Sequence, residues 1–157
     1  MSSPKKNTLI EIIMMLYVIL FLYTGISKLM DYSLFKEQIT TSPLLVPVAP
    51  YVAVLLPWIE FATAVLLFVP KWRLKGLYAS LVLMVVFTGY VIGILLFNDK
   101  LPCSCGGILQ DLSWKQHLVF NGLFIALAIT AIILQKQLKR ESTRKFAGSS
   151  PVYNIKL

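Results

Sequence analysis

Charge is scarce in this chain. Of its 157 residues, 14% are Asp, Glu, Lys or Arg, against roughly 25% in an average soluble domain. Acids are the scarcest, 7 against 15 basic residues. With so few charges and 57% hydrophobic residues, a chain this short cannot keep its apolar surface from water. A water-soluble globular domain is therefore excluded, and the same composition excludes disorder. There are 2 cysteines, too few for a disulfide framework but enough for one reactive pair. Short alternating runs of about ten residues, the mark of a membrane β-barrel, are missing, as are internal repeats.

What is present is four long apolar runs, at residues 9–29, 48–69, 74–97 and 117–138. Each is close to the roughly 20 residues that a helix needs to cross a bilayer core. Lipid offers the backbone no hydrogen bonds, so helices are the form to expect. The fold class is an all-α membrane protein, a four-transmembrane-helix bundle in residues 1–138. The first run follows Lys5 and Lys6 as a signal peptide would. It is too long for one, and Thr24-Gly25-Ile26-Ser27-Lys28 offers no small-residue cleavage site.

The net charge of +8 reads as an orientation signal and not as a nucleic-acid surface. Eleven of the basic residues lie in the N-terminal segment, the second connection and the C-terminal segment; only Lys28, Lys36, Lys100 and Lys115 lie in the other two connections. The positive-inside rule then puts both termini in the cytoplasm of a bacterial inner membrane and the first and third connections outside. In the first connection, residues 31–41 predict a short interfacial helix with Leu34, Phe35 and Ile39 toward lipid. The short second connection predicts an antiparallel hairpin of spans two and three. Residues 139–157 read as a basic, disordered tail. Gly89 and Gly93 form a small-xxx-small pattern that predicts a helix-packing face.

The third connection contains Pro102-Cys103-Ser104-Cys105-Gly106-Gly107. On the periplasmic side a disulfide can persist. A ring closed over one intervening residue is strained and easily reduced, and it stabilises little by loop closure. That favours a redox-active pair over a static staple. Metal binding is a further reading, with His117 as the nearby third ligand, although zinc normally takes four. His117, the single histidine, can stabilise a thiolate or pass a proton, or simply mark the start of the fourth span. Asn121 lies one turn deeper on the same face.

Glu60 stands near the middle of the second span, where an acid costs about 2.5–3.5 kcal/mol unless neutral or paired. Tyr90, Thr88 and Asn121 are candidate partners at similar depth. The pattern suits a proton relay or a hydrogen bond to a quinone-type head group, and equally a protonated glue between helices. Lys28 can pair with an acid, anchor a ligand head group, or snorkel to the interface. Quinone is the one cofactor these residues suggest, with Glu60, Tyr90, Asn121 and Lys28 around it.

These residues, taken in order, resemble a family. Thr24-Gly25-Ile26-Ser27-Lys28-Leu29 followed by Phe35 looks like the G-x-x-K-L…F signature of DoxX-like membrane proteins. Pro57-Trp58-Ile59-Glu60 is similar to their P-x-x-E element, and the Cys103-Ser104-Cys105-Gly106-Gly107 stretch resembles the loop of the MauE branch. The resemblance covers roughly residues 9–138. It implies a four-helix bundle, with Cys103 and Cys105 as a redox pair and Glu60 as the intramembrane acid. It further implies a periplasmic thioredoxin-like partner, a setting in methylamine utilisation, and a quinone as electron carrier. The leading expectation is a thiol–disulfide oxidoreductase with Cys103, Cys105, His117 and Glu60 at its centre. The rivals are a non-catalytic accessory or maturation subunit of an envelope complex and a metal-delivery protein.

Overall fold

The computed structural model describes residues 3–41, 45–97 and 114–148. All elements among them are helical: α1 (Ser3–Met30), α2 (Tyr32–Thr41), α3 (Ala49–Phe68), α4 (Arg73–Phe97) and α5 (Trp114–Gly148), with 3₁₀ turns at Val46–Val48 and Pro70–Trp72. Four of the helices, all but α2, are long and apolar enough to cross a membrane. They form a ring in which α1 packs on α3 and α5, and α4 packs on α3 and α5.

The outside of this ring is apolar and its inside carries the polar groups. Ile12, Ile19, Val54, Val82, Val119 and Leu123 are exposed, whereas Thr24, Lys28, Glu60, Thr63, Ser80, His117 and Asn121 are buried. Water would select the opposite arrangement. A hydrocarbon solvent selects this one, because polar side chains find partners only inside the bundle. The chain is a multi-pass membrane protein.

Local chemistry sets the turns. Val69, the residue before Pro70, is extended (φ −80°, ψ 116°), as the proline ring requires of its predecessor. That ends α3, and Pro70 then opens the turn into α4. Spans two and three pack as the antiparallel hairpin that their short link predicts. Close contact begins at once. A Cβ on Gly76 would stand 2.7 Å from the Leu67 backbone nitrogen, so glycine is what lets α4 lie against the α3 backbone.

The half of the bundle next to this turn is solidly filled. Tyr17, Phe21, Ile10 and Ile13 of α1 meet Leu67, Leu77, Ala128 and Ala131 of the other spans, all nearly inaccessible. The Tyr17 hydroxyl donates to the Phe124 carbonyl at 2.6 Å, and the Phe124 ring meets the Tyr17 ring edge-on at 5.2 Å between centroids.

Three expectations are corrected. The helix in the first connection is present, but Phe35 and Ile39 do not face lipid. They are buried on Ala49 and Ala53 of α3, where small residues one turn apart leave a groove for larger side chains; Leu34 alone of the three is exposed. Next, α5 continues well beyond residue 138 to Gly148. Residues 139–147 contain neither proline nor glycine, and Lys6 of α1 pairs with Glu141 at 2.6 Å, so nothing stops the helix until a glycine does. Residues 149–157, the rest of the expected tail, lie outside the described residues. Finally, Gly89 packs on nothing among the described residues: a Cβ there meets no atom of theirs within 4 Å.

Candidate functional site: a buried ion pair beside a lipid-open cavity

Glu60 is the most completely buried charged residue described, with 0% of its side chain exposed. The burial follows from helix phase. Ala49, Ala53, Pro57, Glu60, Thr63, Ala64 and Leu67 form the inward face of α3, and the 3.6-residue period puts Glu60 on it. Its partner is Lys28. The Lys28 ammonium donates to Glu60 Oε1 at 2.8 Å and Oε2 at 3.2 Å, and to the Thr24 carbonyl at 3.2 Å. The Phe35 ring of α2 covers the same nitrogen, 5.8 Å from centroid to Nζ, a cation–π contact.

Of the partners suggested by depth, Thr88 and Asn121 do not hold the carboxylate; the Asn121 Nδ2 has no hydrogen-bond partner among the described residues. Thr88 turns back to the Met84 carbonyl of its own helix at 2.6 Å, as intramembrane threonines commonly do. The pairing reading of Lys28 is the one realised. Lys28 does not snorkel to an interface, because α2 and the first half of α3 fold over the end of α1. Two charges 32 residues apart share no periodic signal. What could have joined them is the cost rule itself: an acid in mid-span needs a cation, and Lys28 ends the neighbouring apolar run.

Beside the pair lies a cavity of about 410 Å³. Its polar lining includes Lys28, Glu60, Tyr90, His117 and Asn121, together with Thr24 and Gln38, which sequence reasoning had not singled out. His117 and Asn121 are both buried, at 7% and 3%, one turn apart on α5. The Asn121 Nδ2 has no hydrogen-bond partner among the described residues. The rest of the wall is apolar, from Phe21 and Leu56 to Phe87 and Phe120. Lining residues that also reach the outer surface are Tyr51, Leu55 and Ile59 of α3 and Val86 of α4. The cavity thus opens between α3 and α4, toward lipid.

The structure therefore brings together five of the residues singled out from the sequence, Lys28, Glu60, Tyr90, His117 and Asn121. Cys103 and Cys105 fall in residues 98–113, outside the described residues. The described residues contain no cluster of His, Cys, Asp or Glu that could hold a metal ion. Glu11 is half exposed near the start of α1, 3.7 Å from Arg73 and in a hydrogen bond with Asn7, remote from the cavity.

No curated protein matches this chain, and no solved structure does. A family model does: that of the methylamine utilisation protein MauE, over residues 6–134. The match reaches into all four spans and takes in the Lys28–Glu60 pair and the cavity-lining turns of α5. This four-span membrane protein belongs to the MauE family.

Proposed function

We propose that this chain is an inner-membrane thiol–disulfide exchange protein whose redox pair is Cys103 and Cys105. Both termini are cytoplasmic in this reading, and the cysteine segment faces the periplasm. The observation that carries it is the Cys-Ser-Cys-Gly-Gly sequence in a connection that the charge bias puts outside. Phe97 and Trp114 bracket that segment. They end α4 and begin α5 close to Ile94 and His117, which line the polar cavity. The family's description supplies the metabolic setting, methylamine utilisation.

The partner is a periplasmic thioredoxin-like protein. A thiolate of its reduced form attacks one sulfur of the Cys103–Cys105 disulfide, forming a mixed disulfide and releasing the other sulfur as a thiolate. The partner's second thiolate then resolves the mixed disulfide. The net result is one disulfide made, one broken, and two electrons and two protons moved to the Cys103–Cys105 pair; the reverse sequence returns them. A membrane quinone balances the cycle, because dithiol plus quinone gives disulfide plus hydroquinone.

The test is thiol trapping in intact cells with a membrane-impermeant maleimide, before and after a periplasmic oxidant. The expected result is labelling that falls after oxidation and depends on both cysteines. Labelling from the cytoplasm only, or a pair that never changes state, overturns the reading. If Cys103→Ser and Cys105→Ser both leave growth on methylamine intact, the chain is instead an accessory subunit.

A further inference from the structure

The cavity contains a specific unmet demand. Asn121 is buried, lines the cavity, and carries an amide nitrogen with no partner among the described residues. A buried donor left unmade costs free energy that a ligand oxygen would recover. The two charges make no comparable demand. Lys28 and Glu60 hold each other through both carboxylate oxygens, and Lys28 also donates to the Thr24 carbonyl, so the floor is neutral as a unit and gives an ion little attraction. A phospholipid head or a free phosphate would bring a charge that this neutral floor does not compensate.

The walls say how a ligand arrives. The way in lies between Leu55 and Ile59 of α3 and Val86 of α4, side chains that are half exposed on the surface facing acyl chains. A volume of about 410 Å³ falls within the range of small-molecule sites. The occupant must be neutral and lipid-soluble. It must also carry a hydrogen-bond-accepting oxygen on a compact head, and a tail that tolerates an apolar exit.

We propose that the cavity binds the head group of a lipid-soluble quinone, with a ring carbonyl accepting from Asn121 Nδ2 and the tail leaving toward lipid between α3 and α4. Naming the quinone class rests on the thiol-exchange reading, which needs a two-electron membrane carrier. The binding geometry itself uses no cysteine. Asn121 acts here as a binding residue, and the Lys28–Glu60 pair acts as the neutral floor that excludes anions.

The experiment is equilibrium binding of a tritiated benzoquinone bearing a decyl chain to the purified full chain in nanodiscs. The comparison ligand is the same decyl chain without the carbonyl head. Saturable binding near one per chain is expected for the quinone only. Asn121→Leu should weaken it about tenfold while the melting temperature stays level or rises, since the variant removes an unsatisfied buried polar group. Val86→Trp, a change at a lipid-facing position, should block entry and abolish binding in a folded protein.

Equal binding of the headless chain overturns the proposal, as does an unchanged affinity in both variants. The Cys103→Ser, Cys105→Ser double variant separates this proposal from the thiol-exchange reading. Quinone binding retained there supports the cavity site whether or not the cysteines cycle in cells. Cycling cysteines in a chain that binds no quinone leave thiol exchange standing and overturn the cavity site.

Discussion

The two halves of the bundle are built from the same four helices and solve different problems. Near the α3–α4 turn, Ile10, Ile13, Tyr17, Leu67, Leu77 and Ala131 are buried against one another. In the other half, the same helices enclose a cavity of about 410 Å³ and place a lysine and a glutamate at its floor. Hydrophobicity does not separate them, since both have apolar walls. The separating feature is side-chain size against helix spacing. Gly76, Ala64, Ala128 and Ala131 draw the backbones together in the packed half. In the hollow half, Lys28 and Glu60 hold the helices by charge while the space beside them stays open. Packing therefore supplies rigidity in one half, and electrostatics holds shape in the other.

The comparison breaks most sharply at Glu60. Glu60→Ala leaves the Lys28 ammonium buried and unpaired, and breaking such a pair costs about 3–5 kcal/mol. The double variant Lys28→Met, Glu60→Leu removes both charges and should recover most of that loss, as apolar replacements of buried pairs often do. Denaturation of the purified protein by SDS, followed by circular dichroism, measures both. A loss below about 1 kcal/mol in Glu60→Ala would mean that the hollow half is held by something other than this pair.

Gly76→Ala probes the packed half. The added Cβ meets backbone atoms of Leu66 and Leu67, at 2.9 and 2.7 Å, and a backbone cannot turn aside. The hairpin must open, at about 1–3 kcal/mol. Gly25→Ala is the matched change at the edge of the hollow half. There the nearest atom is Phe61 Cε1 at 2.9 Å, the far side of a ring that can rotate away. The SDS midpoint should drop further for Gly76→Ala, and the reverse order would contradict the packing argument.

Tyr17→Phe comes next. It keeps the ring stack with Phe21 and the edge contact with Phe124 but deletes the hydroxyl that bonds the Phe124 carbonyl. A single buried hydrogen bond is worth about 1 kcal/mol net. The loss should appear in the same titration without any change in quinone binding, because Tyr17 is not among the cavity-lining residues.

The sequence made the spans legible because lipid enforces a simple rule: about 20 apolar residues, helical, with turns where proline stands. Val69 and Pro70 obey it to the residue. The packing inside the ring was less legible. Phe35 and Ile39 look lipid-facing on a short amphipathic helix, and only the groove over Ala49 and Ala53 shows that α3 claims them. For the site, Lys28, Glu60, Tyr90, His117 and Asn121 announced themselves by being polar in or beside apolar runs, whereas Thr24 and Gln38 did not. The assembly of the site did not either. The Lys28–Glu60 pair joins two helices across 32 residues, and residue-by-residue depth favoured Tyr90, Thr88 and Asn121 instead. Depth counted along a straight span misses that α1 ends beneath α2, which lowers Lys28 into the bundle.

The smallest expected effect has the opposite sign. Gly89 sits on an exposed face of α4 in the hollow half, and a Cβ there meets nothing within 4 Å. Glycine in a helix costs about 0.5–1 kcal/mol relative to alanine, and no contact among the described residues offsets that cost. Gly89→Ala should therefore raise stability by about that amount in dilute detergent, where each chain stands alone. The sequence pattern Gly89-x-x-x-Gly93 nevertheless has the form of a close-packing face. Repeating the titration at increasing protein-to-detergent ratio decides between the two. A gain that persists at every ratio means that the glycine serves no contact. A gain that turns into a loss as chains crowd together means that another helix covers this face, and that the hollow half is completed from outside the chain.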